Sequence, residues 1–153
     1  MVAGCASYSG YTLQPGASSA EVEATMGKPA LVREAANGEK TWWYPRFPFG
    51  RESYAARLSP DGRLIALEQR LTPQNIARIV PNKSTSEEVL DVLGPPSDVY
   101  RYPRQQREAW EYPLFKPPQS RSLYVQISPD KVVREVYELE DRAFDPFLGI
   151  IRP

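Results

Sequence analysis

The sequence predicts an α+β fold built from two tandem repeats, each a short helical segment packed on a three- to four-stranded antiparallel sheet. Three observations lead to this prediction: an internal repeat, a helix-start signal at the head of each copy, and strand-and-turn patterns behind each helix. The 153-residue chain is long enough to bury a core, and its sixteen prolines favour turns and short elements.

The internal repeat keeps the same order of motifs along the chain. A Gly-x-Pro segment follows the predicted helix in each copy, and its glycines, Gly27 and Gly94, lie 67 residues apart. A Trp-x-Tyr-Pro segment comes next, with Trp42 and Trp110 lying 68 residues apart. A Ser-Pro-Asp turn follows in both copies at a spacing of 69 residues. Such small changes in spacing are what surface loops tolerate, so we expect both copies to share one topology.

Each copy opens with the spacing of a capping box, in which a hydroxyl and a carboxylate each accept a hydrogen bond from the other residue's backbone N–H. Ser18 precedes Glu21 by three residues, and Thr85 precedes Glu88 by the same interval. Apolar residues four positions apart follow, and the glycine after them favours a helix end. We therefore expect two short helices, which need a sheet to pack on.

The segments behind each helix carry strand and turn signals. Asn37-Gly38 is typical of a type I′ hairpin, and a Pro-Asp-Gly segment marks a second turn. Between the copies, Thr72 followed by Pro73 predicts a short helix through Ile79. The predicted strands are 31–35, 39–44, 53–58 and 63–70 in the first copy and 98–102, 109–112, 123–127 and 132–139 in the second.

These signals divide the chain into five segments. They are a flexible tether at 1–12, a first repeat at 13–71, a linker with a short helix at 72–81, a second repeat at 82–141 and an apolar tail at 142–153. The tail contains Phe147 within an apolar run, and we expect it to lie across a sheet or to dock on a partner, because exposed it would favour aggregation.

The start of the chain is a run of small residues, V-A-G-C, that ends in the only cysteine, Cys5. This run resembles the lipobox of bacterial lipoproteins, in which the cysteine becomes the first mature residue and carries lipid. Covalent lipid on Cys5 is the one attached group that we expect, and several acyl chains hold a protein firmly at a membrane. Ala6 follows where many lipoproteins retained at the inner membrane have Asp, so the resemblance implies the periplasmic face of the outer membrane. The alternative is a buried or incidental cysteine.

The repeated pattern of a polar cap, Glu-Val, Gly-x-Pro, Trp-x-Tyr-Pro and a final hairpin resembles the SmpA/OmlA domain of the BamE family. These are small outer-membrane lipoproteins related in fold to β-lactamase inhibitor proteins. The resemblance covers residues 13–141 and occurs twice, which implies tandem BamE-like domains. It also implies a protein-binding scaffold in envelope or outer-membrane β-barrel assembly, with inhibition of a periplasmic hydrolase as the alternative.

Composition excludes several kinds of site. The chain has no histidine, so Ser-His-Asp and Cys-His nucleophilic sites and His-ligated zinc cannot be built, and a single cysteine excludes internal disulfides. Zero formal net charge argues against a protein that coats nucleic acid. Glu108, Glu111, Asp61 and Asp130 could serve as paired carboxylates, but turn and solvated-strand roles explain them better. We predict a non-enzymatic protein with no metal and no small-molecule substrate.

The candidate partner-binding residues are aromatic and basic. The loops after Tyr44-Pro and Tyr112-Pro carry phenylalanines that either present apolar area to a partner or fold back to complete a core. Of the tryptophans, Trp43 is expected to be exposed and the other two repeat tryptophans to lie in the core. Three arginines near 101–107 could contact lipid phosphate or an acidic partner, or simply occupy a solvated hairpin tip. The candidates are Trp43, Phe47, Phe49, Phe115, Arg101, Arg104, Arg107 and Phe147.

Overall fold

The computed structural model describes residues 12–141 and confirms the α+β fold. The first unit consists of α1 Ser19–Met26, β1 Leu31–Glu34, β2 Lys40–Pro45, β3 Ser53–Leu58 and β4 Leu64–Gln69. A linking helix, α2, covers Pro73–Ile76. The second unit consists of α3 Ser86–Leu93, β5 Asp98–Tyr102, β6 Arg107–Leu114, β7 Arg121–Ile127 and β8 Val133–Glu140. Cys5 and Phe147 lie outside the described residues, so the lipidation site and the tail contact stay predictions.

Both predicted capping boxes are present. The Ser18 hydroxyl accepts from the backbone N–H of Glu21 at 3.2 Å, and the Thr85 hydroxyl accepts from that of Glu88 at 3.3 Å. Each glutamate in turn accepts from the backbone N–H of its cap residue. The glycines that end α1 and α3 have φ of 87° and 81°, a conformation that other residues adopt only with strain. The same local signals therefore begin and end both helices.

The two sheets are antiparallel meanders with matching register. Each has four strands in chain order, β1–β2–β3–β4 and β5–β6–β7–β8. One row of paired residues across the first sheet is Leu31, Trp43, Ala55 and Glu68, and the equivalent row of the second is Asp98, Glu111, Tyr124 and Tyr137. The next row on the same face is Arg33, Thr41, Arg57 and Ala66 in the first sheet and Tyr100, Ala109, Gln126 and Glu135 in the second.

The first hairpin forms where expected, but the predicted type I′ turn is wrong. Gly38 has a positive φ of 82°, whereas Asn37 is not among the residues with positive φ. The backbone N–H of Gly38 donates to the carbonyl of Ala35, so the central pair is Ala36 and Asn37 rather than Asn37 and Gly38. A type I turn followed by a left-handed glycine is the usual three-residue alternative to the two-residue loop.

Each sheet packs one face on its own helix. In the first unit the core consists of Val22, Met26, Tyr44, Ala56, Leu58 and Leu64. In the second it consists of Leu71, Ile79, Val89, Val92, Leu93, Tyr112, Leu114, Leu123, Val125, Ile127 and Val133. The second core is the larger, and it includes Leu71 and Ile79 from the segment between β4 and α3. Among the helices of residues 12–141, none has the length and apolar character needed to cross a bilayer.

Candidate protein-binding surfaces

Trp43 lies at the contact between the two units, and the prediction that it is exposed is wrong. Its side chain has 0% exposure because α3 of the second unit covers the outer face of the first sheet, the face opposite α1. A Cβ at Gly94, the C-cap residue of that helix, would lie 2.3 Å from the Trp43 ring. Strand alternation correctly placed Trp43 opposite the first core, but it does not encode a contact with a helix some fifty residues away.

Arg70 contacts both the C-terminal end of α3 and the outer face of the first sheet. Its guanidinium carbon lies 6.0 Å from the centre of the Trp43 ring, and Nη1 is 2.7 Å from a carboxylate oxygen of Glu68. Nε donates at 3.1 Å to the carbonyl of Val92, in the last turn of α3. The guanidinium therefore lies over an aromatic ring, pairs with a carboxylate and caps a helix C-terminus at once.

Arg33 fastens the start of the same helix. Its Nη2 lies 2.8 Å from Glu87, and its Nε bonds to Asp91, one turn further along α3. The first sheet thus presents basic side chains to an acidic helix surface, so the contact between the units is complementary in charge as well as in shape.

The loop between β2 and β3 closes onto the second unit. Phe47 is partly buried and packs against the second core, so the structure favours the alternative that this ring completes a core. Arg51, four residues further, donates from Nη1 to the carbonyls of Leu114 and Arg121 at 3.2 and 3.1 Å, and its Nη2 lies 2.6 Å from Asp141. This arginine therefore holds the β2–β3 loop against the ends of β6 and β7.

Phe49 and Phe115 remain exposed on these two equivalent loops. Phe49 is 93% exposed and Phe115 is 74% exposed. Each lies within two residues of the Arg51 contact, since Phe49 precedes Arg51 by two and Phe115 follows Leu114 directly. We call these two rings the loop-tip surface. Large apolar rings exposed at a protein surface are a feature of sites that bind other proteins.

Of the three predicted arginines, Arg101 and Arg104 are exposed on the β5–β6 hairpin, as the alternative of a solvated tip expects, and Arg107 is partly exposed. Arg101 lies on β5, 3.4 Å from Glu108, while Arg107 begins β6 and its Nη1 is 2.6 Å from Glu135. Arg104 lies between them in a 3₁₀ turn and is exposed. Arg101 and Arg107 line an open cleft of about 270 Å³ together with Lys131 and Glu108. Both arginines are already paired with carboxylates.

The outer face of the second sheet contains a cluster of tyrosines around a carboxylate that the sequence analysis did not predict. The hydroxyls of Tyr100 and Tyr124 donate to the two carboxylate oxygens of Glu111 at 2.8 and 3.1 Å. Tyr124 stacks on Tyr137 with ring centres 5.6 Å apart and planes 19° apart. We call these four residues the tyrosine–carboxylate cluster. The signal was available, because Glu111 stands at the repeat position of Trp43, and a carboxylate where the first copy buries a tryptophan marks a changed environment.

Two tyrosines of this cluster, Tyr100 and Tyr124, have raised pKa values. The hydrogen bond to Glu111, followed by burial and the charges of Glu111 and Asp98, raises the pKa of Tyr100 to about 12. Burial, and then the charge of Glu111, raises the pKa of Tyr124 as well. Both shifts have the cause expected of a hydroxyl beside a charged carboxylate in a partly desolvated setting.

The structure brings no metal site to any of these surfaces. Within residues 12–141, no three His, Cys, Asp or Glu side chains are grouped so that they could share an ion.

A second open cleft, of about 620 Å³, lies between α1 and the segment before it, where Glu21 and Arg63 are among its lining residues.

Comparison with known proteins leaves the family of this chain open. No family model matches it, and none of the curated proteins matches it. Among solved structures it is similar to a DUF4309 family protein (YjgB) from Bacillus subtilis, at 17% identity and a TM-score of 0.33. The match covers 82% of this chain and 79% of that chain. At this level the similarity carries no argument about function, and the BamE resemblance stays a prediction.

Proposed function

We propose that this protein is a non-enzymatic lipoprotein of the bacterial envelope, held at the periplasmic face of the outer membrane through lipid on Cys5. There it binds protein partners as a scaffold in envelope or β-barrel assembly. The lipobox-like run and the duplicated BamE-like pattern support the anchor and the setting. The observation that carries the binding role is the loop-tip surface, two exposed phenylalanines on equivalent loops that Arg51 holds together.

The physical case for binding rests on preorganisation. An exposed phenylalanine on a mobile loop loses conformational entropy when a partner immobilises it, whereas a loop fixed in advance loses less. Arg51 supplies that fixation with two carbonyl hydrogen bonds and an ion pair to Asp141. Phe47 adds to it by anchoring the same loop in the second core.

The anchor is tested on the full-length gene expressed in its bacterial host with an alkyne-bearing fatty acid. We expect the label and the outer-membrane fractionation to be lost in Cys5→Ala and kept in the matched control Ser7→Ala. A Cys5→Ala protein that still carries label, or that still fractionates with outer membrane, would contradict the anchor.

The binding role is tested by placing the photoreactive residue p-benzoylphenylalanine at position 49, at position 115 and, as a control, at the half-exposed position of Val32. We expect the same adduct from the first two positions and none from the third. A β-barrel assembly component in that adduct supports the scaffold role. A hydrolase whose activity falls on stoichiometric binding supports the inhibitor alternative. Adducts absent from both loop positions would contradict the loop-tip surface.

A further inference from the structure

We propose that the tyrosine–carboxylate cluster on the outer face of the second sheet binds an arginine side chain presented by a partner protein. The proposal is independent of the loop-tip surface, because none of its residues lies on the two loops. It is carried by a comparison of the same place in the two sheets.

In the first sheet this place already holds an arginine. The guanidinium of Arg70 lies over the Trp43 ring and is paired with Glu68, and Trp43 and Glu68 belong to the same row across the sheet. An aromatic ring and a carboxylate on one row are therefore joined by a planar cation in this molecule. Guanidinium is suited to that role because it stacks on rings and bonds carboxylates at the same time.

The equivalent row of the second sheet also has aromatic rings and a carboxylate, but their positions are exchanged. It has no arginine at the position of Arg70. Glu111 stands at the position of Trp43, and Tyr137 stands at that of Glu68. The residue 69 positions after Arg70 is Leu139, which is 52% exposed. Among residues 12–141, neither Glu111 nor its neighbour Asp98 forms an ion pair.

The charges on this row are unfavourable without a ligand. Asp98 lies directly opposite Glu111 across the β5–β6 pair, and like charges in that relation destabilise a sheet. The neighbouring row adds Glu135, whose charge is compensated by Arg107. A cation bound between Asp98 and Glu111 would relieve the repulsion, which gives the second sheet a preference for a positive partner.

The geometry leaves room for a guanidinium. The Glu111 carboxylate has four acceptor positions, and the two tyrosine hydroxyls use two of them. Tyr100 is 43% exposed, and its ring stands beside the carboxylate at the surface. A guanidinium that approaches from solvent would use the two remaining acceptor positions and contact the Tyr100 ring.

The probe for this site is N-acetyl-L-argininamide, which presents an arginine side chain without free backbone charges. The full 153-residue chain is titrated with it while the aromatic ring signals of Tyr100 and Tyr124 are followed by NMR. We expect saturable shifts and at least tenfold weaker binding of N-acetyl-L-citrullinamide, which has the same shape without the charge. Free L-arginine should bind no more tightly than the amide, because its α-ammonium and α-carboxylate together add no net charge. Tighter binding of free arginine would overturn the assignment to a protein side chain.

Variants locate the site. Glu111→Gln keeps the shape and removes the charge, so we expect a rise in Kd of at least tenfold, whereas Glu140→Gln on the opposite face of the same sheet leaves Kd unchanged. Tyr100→Ala, at an exposed position, should raise Kd at least threefold even if the Glu111 variant folds poorly. Equal binding of the citrulline probe, an unaltered Kd in both cluster variants, or saturable shifts with Ca²⁺ alone would overturn the proposal.

Discussion

The two units share their local structure and differ in what covers the outer face of each sheet. In the first unit that face is buried under α3, with Trp43 against Gly94 and Arg70 stacked above the ring. In the second unit no helix among residues 12–141 covers the equivalent face, and Glu111 takes the place of Trp43 among tyrosines. Within residues 12–141, one repeated sequence thus yields one sheet with a helix on each face and one sheet with a helix on a single face.

The comparison explains why the second copy differs where it does. A polar outer face gives a further copy no apolar surface on which to stack. Arg33, which receives the acidic side of α3, is replaced by Tyr100 at the same register, so the second sheet is not built to receive another such helix. The open face is specialised, and its acidic row favours a basic ligand.

The largest effect on stability should come from truncating Trp43. The comparison is Glu111, which occupies the equivalent position in the second sheet. Trp43→Ala removes a fully buried ring from the contact between units, and we expect it to lower the free energy of unfolding by about 3–5 kcal/mol. Glu111→Ala releases hydroxyls that water can reach, and we expect a change of less than about 1 kcal/mol. Urea denaturation of both variants measures this. Similar losses at the two positions would contradict the asymmetry.

The glycines that end the two helices provide the next comparison. Gly94→Ala and Gly27→Ala share the strain of a positive φ, about 1–3 kcal/mol. At Gly94 the new Cβ would also collide with the Trp43 ring, whereas at Gly27 it would meet nothing within 4 Å. We therefore expect the Gly94 variant to be less stable than the Gly27 variant by about 1–3 kcal/mol. Thermal unfolding of the pair tests it, and equal melting temperatures would show that α3 does not pack on the ring.

The smallest effect concerns the tyrosines of the Trp-x-Tyr-Pro motif. The hydroxyl of Tyr112 donates at 2.9 Å to the carbonyl of Gly94, whereas the buried hydroxyl of Tyr44 has no hydrogen-bond partner among the described residues. We expect Tyr112→Phe to cost about 1–2 kcal/mol, because it leaves a buried carbonyl unpaired. Tyr44→Phe should be neutral or slightly stabilising. Chemical denaturation at neutral pH distinguishes them.

The same pair predicts a pH dependence. Burial raises the pKa of Tyr44 to about 12. Burial also raises the pKa of Tyr112, so both hydroxyls stay neutral in the folded state just above pH 10, where an unfolded chain ionises them. Their contribution to stability is therefore present below pH 10 and is lost as the pH rises toward 12. In Tyr44→Phe this alkaline loss should be smaller than in the wild type. An unchanged alkaline profile would contradict the buried, neutral state of Tyr44.

The sequence predicted much of the fold because its signals are local. Capping boxes, helix-ending glycines and turn segments act within a few residues, and both units begin and end their elements close to the predicted positions. For Phe49 and Phe115 it left two alternatives open, a ring that faces a partner and a ring that completes a core, and the structure exposes both rings. The turn at Asn37-Gly38 shows the limit, because one dipeptide fits more than one hairpin geometry.

The sequence by itself determined the repeated unit, which is a capped helix followed by an antiparallel meander. It contains this unit twice, with only small changes in spacing. What only the tertiary structure decided is how the units meet, which buries Trp43, recruits Phe47 into the second core and leaves Glu111 at an open face. The physical reason is range. Hydrogen-bond caps and strand alternation depend on near neighbours, whereas the burial of a second sheet face depends on which helix, distant in the chain, has the shape and charge to lie against it.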